Sequence, residues 1–205
     1  MRFIGVTGGV GAGKSAILRF LENEYNAYVV RADELAATLM QPGHRCYDRL
    51  REAFSDIPDL LDESGAFRKD GLVTQIFADD DRRALMNSIV HPEVKEEIIR
   101  DVEEHKKAKD TELYVLEAAL LIEDGYEAVC DELWYIYASK KTRISRLKET
   151  RGYSDERIAD IMGAQLSDDE YIRHCRYVID NDGDRNRAFE QIRMILSGED
   201  NEQEK

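Results

Sequence analysis

Residues 1–21 read MRFIGVTGGVGAGKSAILRFL, and this stretch decides the fold. The apolar run Phe3–Val6 predicts a buried strand, and the apolar residues from Ala16 onward predict a helix. Glycine is a poor former of both elements, so a glycine cluster between them indicates a turn with a geometric demand. At a strand-to-helix turn, backbone amides can converge on an anion. The glycines of this cluster are Gly8, Gly9, Gly11 and Gly13.

The turn fits the pattern G-x-x-x-x-G-K-[ST], with Gly8, Gly13, Lys14 and Ser15 in the fixed positions. Lys14 is predicted to reach the β- and γ-phosphates of a nucleotide, and the Ser15 hydroxyl to ligate Mg²⁺. A purely structural turn is the weaker interpretation, because the strand before it and the helix after it are the context that the motif requires. The predicted phosphate-binding residues are Gly9, Val10, Gly11, Ala12, Gly13, Lys14, Ser15 and Ala16.

Composition limits the class of protein. A chain of 205 residues with 42% hydrophobic and 35% charged residues is typical of one soluble globular domain. It carries no apolar run long enough to cross a bilayer and no secretory signal at its N-terminus. A net charge of −14 disfavours binding to nucleic acid. Three widely spaced cysteines (Cys46, Cys130 and Cys175) predict free thiols in a reducing compartment. Taken together, these features predict a cytoplasmic protein without membrane or nucleic-acid partners.

Short apolar runs separated by helical patterns predict a three-layer α/β fold around a parallel five-stranded sheet. We expect a core at about 1–32, 110–138 and 176–197, a helical insert at about 33–109, a lid at about 139–175 and an acidic tail at 198–205. The insert reads almost wholly helical, with Pro92 in the first turn of its last helix and His91 just outside that helix. The candidate strands are Phe3–Val6, Ala27–Val30, Leu113–Leu116, Leu133–Tyr137 and Tyr177–Ile179.

Two carboxylates lie where parallel strands end, which is where such sheets bind ligands. Asp33 follows the second strand, and it could act as a general base or only cap the next helix; the residues alone leave both readings open. Glu117 ends the third strand, where it could bind Mg²⁺ through water or be an ordinary exposed carboxylate.

The predicted lid carries Arg143, Arg146 and Arg151, which could neutralise phosphate charge or form only the solvated face of a helix. The segment DESG at 62–65 matches the short pattern D-x-x-G. No guanine-reading [NT]-K-x-D motif accompanies it, so we expect no GTPase switch.

Together these segments resemble the dephospho-CoA kinase family from Phe3 to about Leu196. The phosphate loop TGGVGAGKS, the segment RAD with Asp33, the pair Pro42-Gly43, IFADD, His91-Pro92, ALLIE and IDNDG occur in the family's order. The resemblance implies a P-loop kinase that transfers the γ-phosphoryl group of ATP, with Mg²⁺, to the ribose 3′-hydroxyl of dephospho-CoA. It implies small-molecule substrates, and we expect a monomer.

The resemblance also implies roles for particular residues. Asp33 becomes the catalytic base beside Lys14, and Arg151 becomes a lid arginine near the phosphates. Asn181 and Gly183 would border the adenine of ATP. Ser15 and Glu117 are the expected metal ligands. The residues expected to contact the acceptor are Thr7, Asp33, His91, Leu121 and Glu123.

Four positions depart from the family pattern. Arg31 stands in place of an aspartate, Ala119 of a proline, Ile161 of an arginine and Tyr171 of a lysine, although Gln165 is retained. An isoleucine offers neither the charge nor the bidentate donors of arginine, so the other lid cations must carry more of the phosphate charge. The alternatives are a divergent kinase with another small hydroxyl or nucleotide acceptor and a nucleotide-binding regulatory protein without turnover. Retention of Lys14, Ser15 and Asp33 argues against the regulatory protein.

Overall fold

The computed structural model describes residues 1–76 and 78–199, with Val73 described by its backbone alone. Phe77 of the IFADD segment and most of the predicted acidic tail therefore lie outside the described residues. The described helices include none that is both long and apolar enough to cross a bilayer.

Five strands form one sheet in the order β2-β3-β1-β4-β5, which confirms the predicted α/β class. β1 is central and runs parallel to both β3 and β4, and β5 runs parallel to β4. Each strand was predicted to within one residue at either end. The strands are β1 (Arg2–Thr7), β2 (Tyr28–Arg31), β3 (Leu113–Glu117), β4 (Glu132–Tyr137) and β5 (Tyr177–Asp180).

Nine α-helices are described, with a π-helix at Leu72–Ile76 and a 3₁₀-helix at Tyr126–Ala128. The chain divides into two compact units, which we call the sheet unit (Met1–Val29 with Lys109–Lys205) and the helical unit (Val30–Ala108). The α-helices are α1 (Lys14–Tyr25), α2 (Ala32–Leu39), α3 (Arg45–Ala53), α4 (Lys69–Gly71), α5 (Asp80–Ala108), α6 (Lys140–Arg151), α7 (Asp155–Gly163), α8 (Asp168–His174) and α9 (Arg185–Ser197).

The core of the sheet unit is built on β1, whose residues Phe3, Ile4 and Val6 are wholly buried. Apolar side chains of α1 and α9 pack with those of the strands into one cluster, which includes Trp134 and Ile192. A strand buried on both faces needs apolar residues at successive positions, and this is why β1 shows no alternation. The turn after β1 thereby follows a strand whose residues from Phe3 to Thr7 are all buried.

The helical unit corrects the prediction for Pro92. This proline lies inside the continuous helix α5, and His91 is a half-buried residue of that helix. Proline removes one backbone hydrogen bond and crowds the preceding turn. The buried residues Ile89, Val94 and Ile98 on either side give α5 an apolar face, and its packing outweighs the local cost.

Residues 54–68 were predicted within a nearly all-helical insert, and they contain no helix. Leu61 and Phe67 instead form an isolated antiparallel bridge. The Asp62 carboxylate closes the turn between them by accepting hydrogen bonds from the Ser64 and Ala66 amides, at 2.8 and 3.1 Å. The segment DESG is thus a structural turn, in which the carboxylate satisfies the backbone.

A buried carboxylate fastens α3 to α5 within the helical unit. Glu93 accepts hydrogen bonds from Arg45 Nε at 2.9 Å and from Arg49 Nη1 at 2.7 Å. Burial alone would raise the pKa of Glu93, but the hydrogen bonds and charges of Arg49 and Arg45 outweigh burial and hold the pKa below its ordinary value. Glu93 is therefore ionised at neutral pH, and its charge is compensated.

Candidate active site

The phosphate loop lies between β1 and α1, as the sequence predicts. α1 begins at Lys14, directly after Gly13, whose φ of 95° lies in the left-handed region that favours glycine. A Cβ atom at Gly13 would also stand 2.4 Å from Asn181 Nδ2, so this position excludes any side chain. The N-terminus of α1, which is the positive end of the helix dipole, therefore opens directly onto the loop.

Lys14 and Glu117, predicted for phosphate and metal binding, are brought together. Lys14 Nζ donates a hydrogen bond to the Gly8 carbonyl at 2.7 Å and lies 3.6 Å from Glu117 Oε1. Glu117 is the last residue of β3, and β3 pairs with β1, which leads into the loop. The end of β3 thus lies beside the loop lysine, and the roles of both residues stay predictions.

The donors around the loop fit a nucleotide with Mg²⁺. Ser15 is exposed in the first turn of α1, so one hydroxyl and the Glu117 carboxylate are the predicted protein ligands. Mg²⁺ prefers oxygen and keeps several waters, and it is commonly held by one or two side chains plus substrate phosphates. Within residues 1–76 and 78–199, no cluster of three or more His, Cys, Asp or Glu residues could form a protein-only metal cage. The site suits a metal that arrives with the phosphates.

Two arginines of α6, in the segment predicted as a lid, reach the carbonyl oxygens of the loop. Arg143 Nε donates to the Val10 carbonyl at 2.9 Å, and Arg146 Nη1 donates to the Ala12 carbonyl at 3.1 Å. Arg143 is buried, so the solvated-face interpretation is wrong for this residue. Its position four residues before the buried Leu147 places both on one face of α6, and this spacing was the available signal.

Asn181 supports the loop from the opposite end of the chain. Its buried side-chain Nδ2 donates to the Ala12 carbonyl at 2.7 Å, and its backbone carbonyl accepts from Arg146 Nη2 at 2.8 Å. Among the described side chains, only Asn181 Oδ1 and Thr7 Oγ1 are buried polar atoms without a hydrogen-bond partner. Gly183 is exposed in the following turn. The predicted contact of Asn181 and Gly183 with adenine stays a prediction.

Asp33 is the second residue of α2, and the capping interpretation is wrong. The N-cap position belongs to Arg31, and no side chain makes a cap hydrogen bond there. The Arg31 guanidinium lies 4.0 Å from Glu34, so this unusual residue pairs with a neighbouring acid. Asp33 itself is exposed in the first helical turn, where the helix dipole favours a negative charge. Its carboxylate is accessible to a substrate hydroxyl.

Three other predicted site residues lie in two places. Leu121 is buried and Glu123 is exposed in the irregular segment that follows β3. Arg151 is exposed at the end of α6, immediately before Gly152, whose φ is 62°. The Arg151 guanidinium lies 5.9 Å from the centre of the Tyr153 ring.

Tyr171, which stands in a lysine position of the family, packs against the core. Its ring stacks on that of Tyr135, with centroids 4.7 Å apart. The Tyr135 hydroxyl donates to Asp168 Oδ1 at 2.6 Å, and burial followed by this hydrogen bond raises the pKa of Tyr135. Sequence reasoning missed this contact. It fixes α8 to β4 within the sheet unit.

The cysteines were predicted to remain as thiols. Cys46, Cys130 and Cys175 are all buried, and none of them forms a disulfide within the part of the chain that the structure describes. Burial, the largest influence, raises the pKa of Cys46 and keeps it protonated. None of the three is therefore a candidate nucleophile.

Comparison with known proteins identifies the family. The family model described as dephospho-CoA kinase matches residues 2–187. A dephospho-CoA kinase of Corynebacterium diphtheriae is 34% identical over 185 residues, which cover 90% of each chain. A solved structure from Thermus thermophilus has a TM-score of 0.76 at 24% identity and covers 98% of each chain. The dephospho-CoA kinase of Campylobacter jejuni gives a TM-score of 0.71 at 20% identity, over 96% of this chain and 98% of that one. The phosphate loop, its lysine and its strand-end carboxylate thus lie within the matched region, and the chain belongs to the dephospho-CoA kinase family.

Proposed function

We propose that this protein transfers the γ-phosphoryl group of ATP to the ribose 3′-hydroxyl of dephospho-CoA, giving CoA and ADP. The observation that carries the proposal is the family match over residues 2–187, which spans the phosphate loop, Asp33, the lid and Asn181. The acidic chain suits a small-molecule substrate held by local cations better than a nucleic-acid partner. A cytoplasmic monomer with free thiols is part of the same proposal.

The loop and Lys14 bind and orient the phosphates in this reaction. Backbone amides at the start of α1 face the anion, and Lys14 can move its ammonium from the Gly8 carbonyl to a phosphate oxygen. Ser15 and Glu117 would hold Mg²⁺, which neutralises charge on the β- and γ-phosphates. Phosphoryl transfer asks little covalent chemistry of a protein, so positioning and charge supply most of the rate.

Asp33 would accept the proton of the attacking ribose hydroxyl. The carboxylate is exposed and is not consumed by a helix cap, so it is available as a general base. His91, Leu121, Glu123 and Thr7 remain proposed contacts of the acceptor. Arg151 would bring positive charge to the phosphates from the end of α6.

The test is a coupled assay of ADP release with dephospho-CoA, adenosine, CMP and shikimate as separate acceptors. Release that depends on dephospho-CoA alone supports the proposal, and the product should carry its new phosphate on the 3′ oxygen. Release with a different acceptor would identify a divergent kinase instead. A protein that binds ADP but forms no ADP from ATP with any acceptor would be a nucleotide-binding regulator. The Lys14→Ala variant is the control for contaminating kinases.

A further inference from the structure

Arg143 and Gln165 together hold both backbone polar groups of one loop residue, Val10. The Arg143 Nε atom donates to the Val10 carbonyl at 2.9 Å, and the Val10 amide donates to Gln165 Oε1 at 3.2 Å. The same Gln165 oxygen accepts from Arg143 Nη2 at 2.5 Å, which closes a ring of three hydrogen bonds. We call this ring the Val10 clasp. It joins α6 and Gln165, the second residue after α7, to the phosphate loop within the sheet unit.

The guanidinium of the clasp lies against Gly9. A Cβ atom on Gly9 would stand 2.1 Å from Arg143 Nη2 and 2.2 Å from Arg143 Cζ. Gly9 has no left-handed φ, so its backbone would accept alanine. The absence of a side chain at Gly9 is therefore explained by the close approach of this guanidinium.

The positive charge of Arg143 is buried without a counter-ion. The residue is 8% exposed, and within residues 1–76 and 78–199 no carboxylate forms an ion pair with it at 4.0 Å or less. Its hydrogen-bond acceptors, Val10 O and Gln165 Oε1, are neutral amide oxygens. A buried charge costs free energy unless an opposite charge compensates it, and its field is poorly screened by salt. An anion bound in the loop would supply that compensation.

We propose that Arg143 is a positioning residue for the nucleotide phosphates, acting through the Val10 clasp. It fixes the backbone on both sides of Val10 in the shape that binds phosphate, and its uncompensated charge attracts the polyphosphate without touching it. The inference deepens the proposed function and rests on the ATP-binding part of it alone. The ligand that it concerns is any di- or triphosphate of a nucleoside.

The test compares ADP binding by calorimetry in Arg143→Leu, Arg143→Lys and the unaltered protein. Leucine keeps the apolar stem and removes every donor, so we expect the Kd for ADP to rise roughly 10- to 100-fold, the loss typical of a hydrogen bond to a charged group. Lysine retains the positive charge but lacks the several donors of the planar guanidinium. The Kd for ADP of Arg143→Lys should therefore lie between those of Arg143→Leu and the unaltered protein. Arg173→Leu removes the same charge from an exposed lid position and should leave Kd within about twofold.

Gly9→Ala tests the contact between Gly9 and the Arg143 guanidinium without changing Arg143 itself. Its methyl group must displace the guanidinium, so ADP affinity should fall; in the Arg143→Leu background the same change should have almost no further effect. In turnover assays of Gly9→Ala and Arg143→Leu, the KM for ATP should rise while the KM for dephospho-CoA stays constant.

Three results would overturn the proposal. An unchanged ADP affinity in folded Arg143→Leu would show a purely structural arginine, and tighter binding would show that the clasp blocks the site. Independent, multiplicative effects of the Gly9 and Arg143 substitutions would show that their contact does not govern binding. Because ADP binding needs no acceptor, failure of the dephospho-CoA assay would leave this test intact.

Discussion

Replacing Asn181 by alanine separates support of the phosphate loop from recognition of adenine. The substitution removes the 2.7 Å hydrogen bond from Nδ2 to the Ala12 carbonyl. That carbonyl keeps a partner, since Arg146 Nη1 lies 3.1 Å away, and Asn181 Oδ1 has no partner to lose. The lost hydrogen bond costs about 1 kcal/mol and the cavity left by the buried carboxamide up to about 1 kcal/mol more. For a chain of this length, the sum lowers Tm by roughly 2–8 °C.

The binding assay for this variant compares ADP with GDP by calorimetry. Because the carboxamide bonds to the loop, we expect both affinities to fall by a similar factor of roughly 3 to 10, the equivalent of about 1 kcal/mol. Asn186→Ala is the matched control, since Asn186 is exposed at the start of α9. Loss of ADP affinity with unchanged GDP affinity would refute the role of Asn181 as support for the loop and would place its side chain beside the adenine ring. An unchanged Tm would refute the energetic reasoning.

Four further substitutions test other parts of the molecule. Lys14→Ala should abolish turnover and weaken ADP binding with an unchanged far-UV spectrum; a folded, fully active variant would contradict the phosphate-site assignment. Asp33→Asn should slow single-turnover phosphorylation by roughly 10²–10⁴-fold and hardly alter Tm, because no cap bond is lost; less than about fivefold would remove its role as a base. Arg151→Ala should lower kcat more than it raises KM for ATP, and an effect on KM alone would count against a role in transfer. Glu93→Gln tests pH dependence: the pKa of Glu93 is lowered in the folded state, so its stabilisation is present above the unfolded pKa and is lost as pH falls through the folded pKa. Acid unfolding monitored by circular dichroism should therefore be less steep in the variant, and identical slopes would contradict the ion-pair account.

The strands and the phosphate loop could be predicted because local sequence determines them. β1 and β3 are short apolar runs buried in a parallel sheet, and the pattern from Gly8 to Ser15 needs only a strand before it and a helix after it. The family segments carried the functional prediction for the same reason. Each is a contiguous motif that does not depend on knowing the tertiary contacts.

The features that sequence analysis missed depend on contacts between distant residues. Pro92 indicates a helix start by local rules, yet the apolar positions on both sides extend α5 through it. Arg143 reads as a surface cation until its neighbours are known: Gln165 is 22 residues away and Val10 is 133 residues away. Tyr171 looked like a lost lysine, and the ring that explains it belongs to β4. In all three cases, tertiary packing determines the environment of the residue, and the local sequence does not show that packing.

The central position of β1 has a consequence for synthesis of the chain. β1 emerges first from the ribosome, but both of its neighbouring strands come much later, from Leu113 and from Glu132. The loop after it also requires Asn181, which is 169 residues beyond Ala12. At usual translation rates the apolar first strand therefore waits roughly 10 to 35 s for the last of these partners. During that time Ile4 and Val6 are accessible to chaperones and to other nascent chains, and the nucleotide site is incomplete. ATP can therefore stabilise the folded chain only after Asn181 has been synthesised.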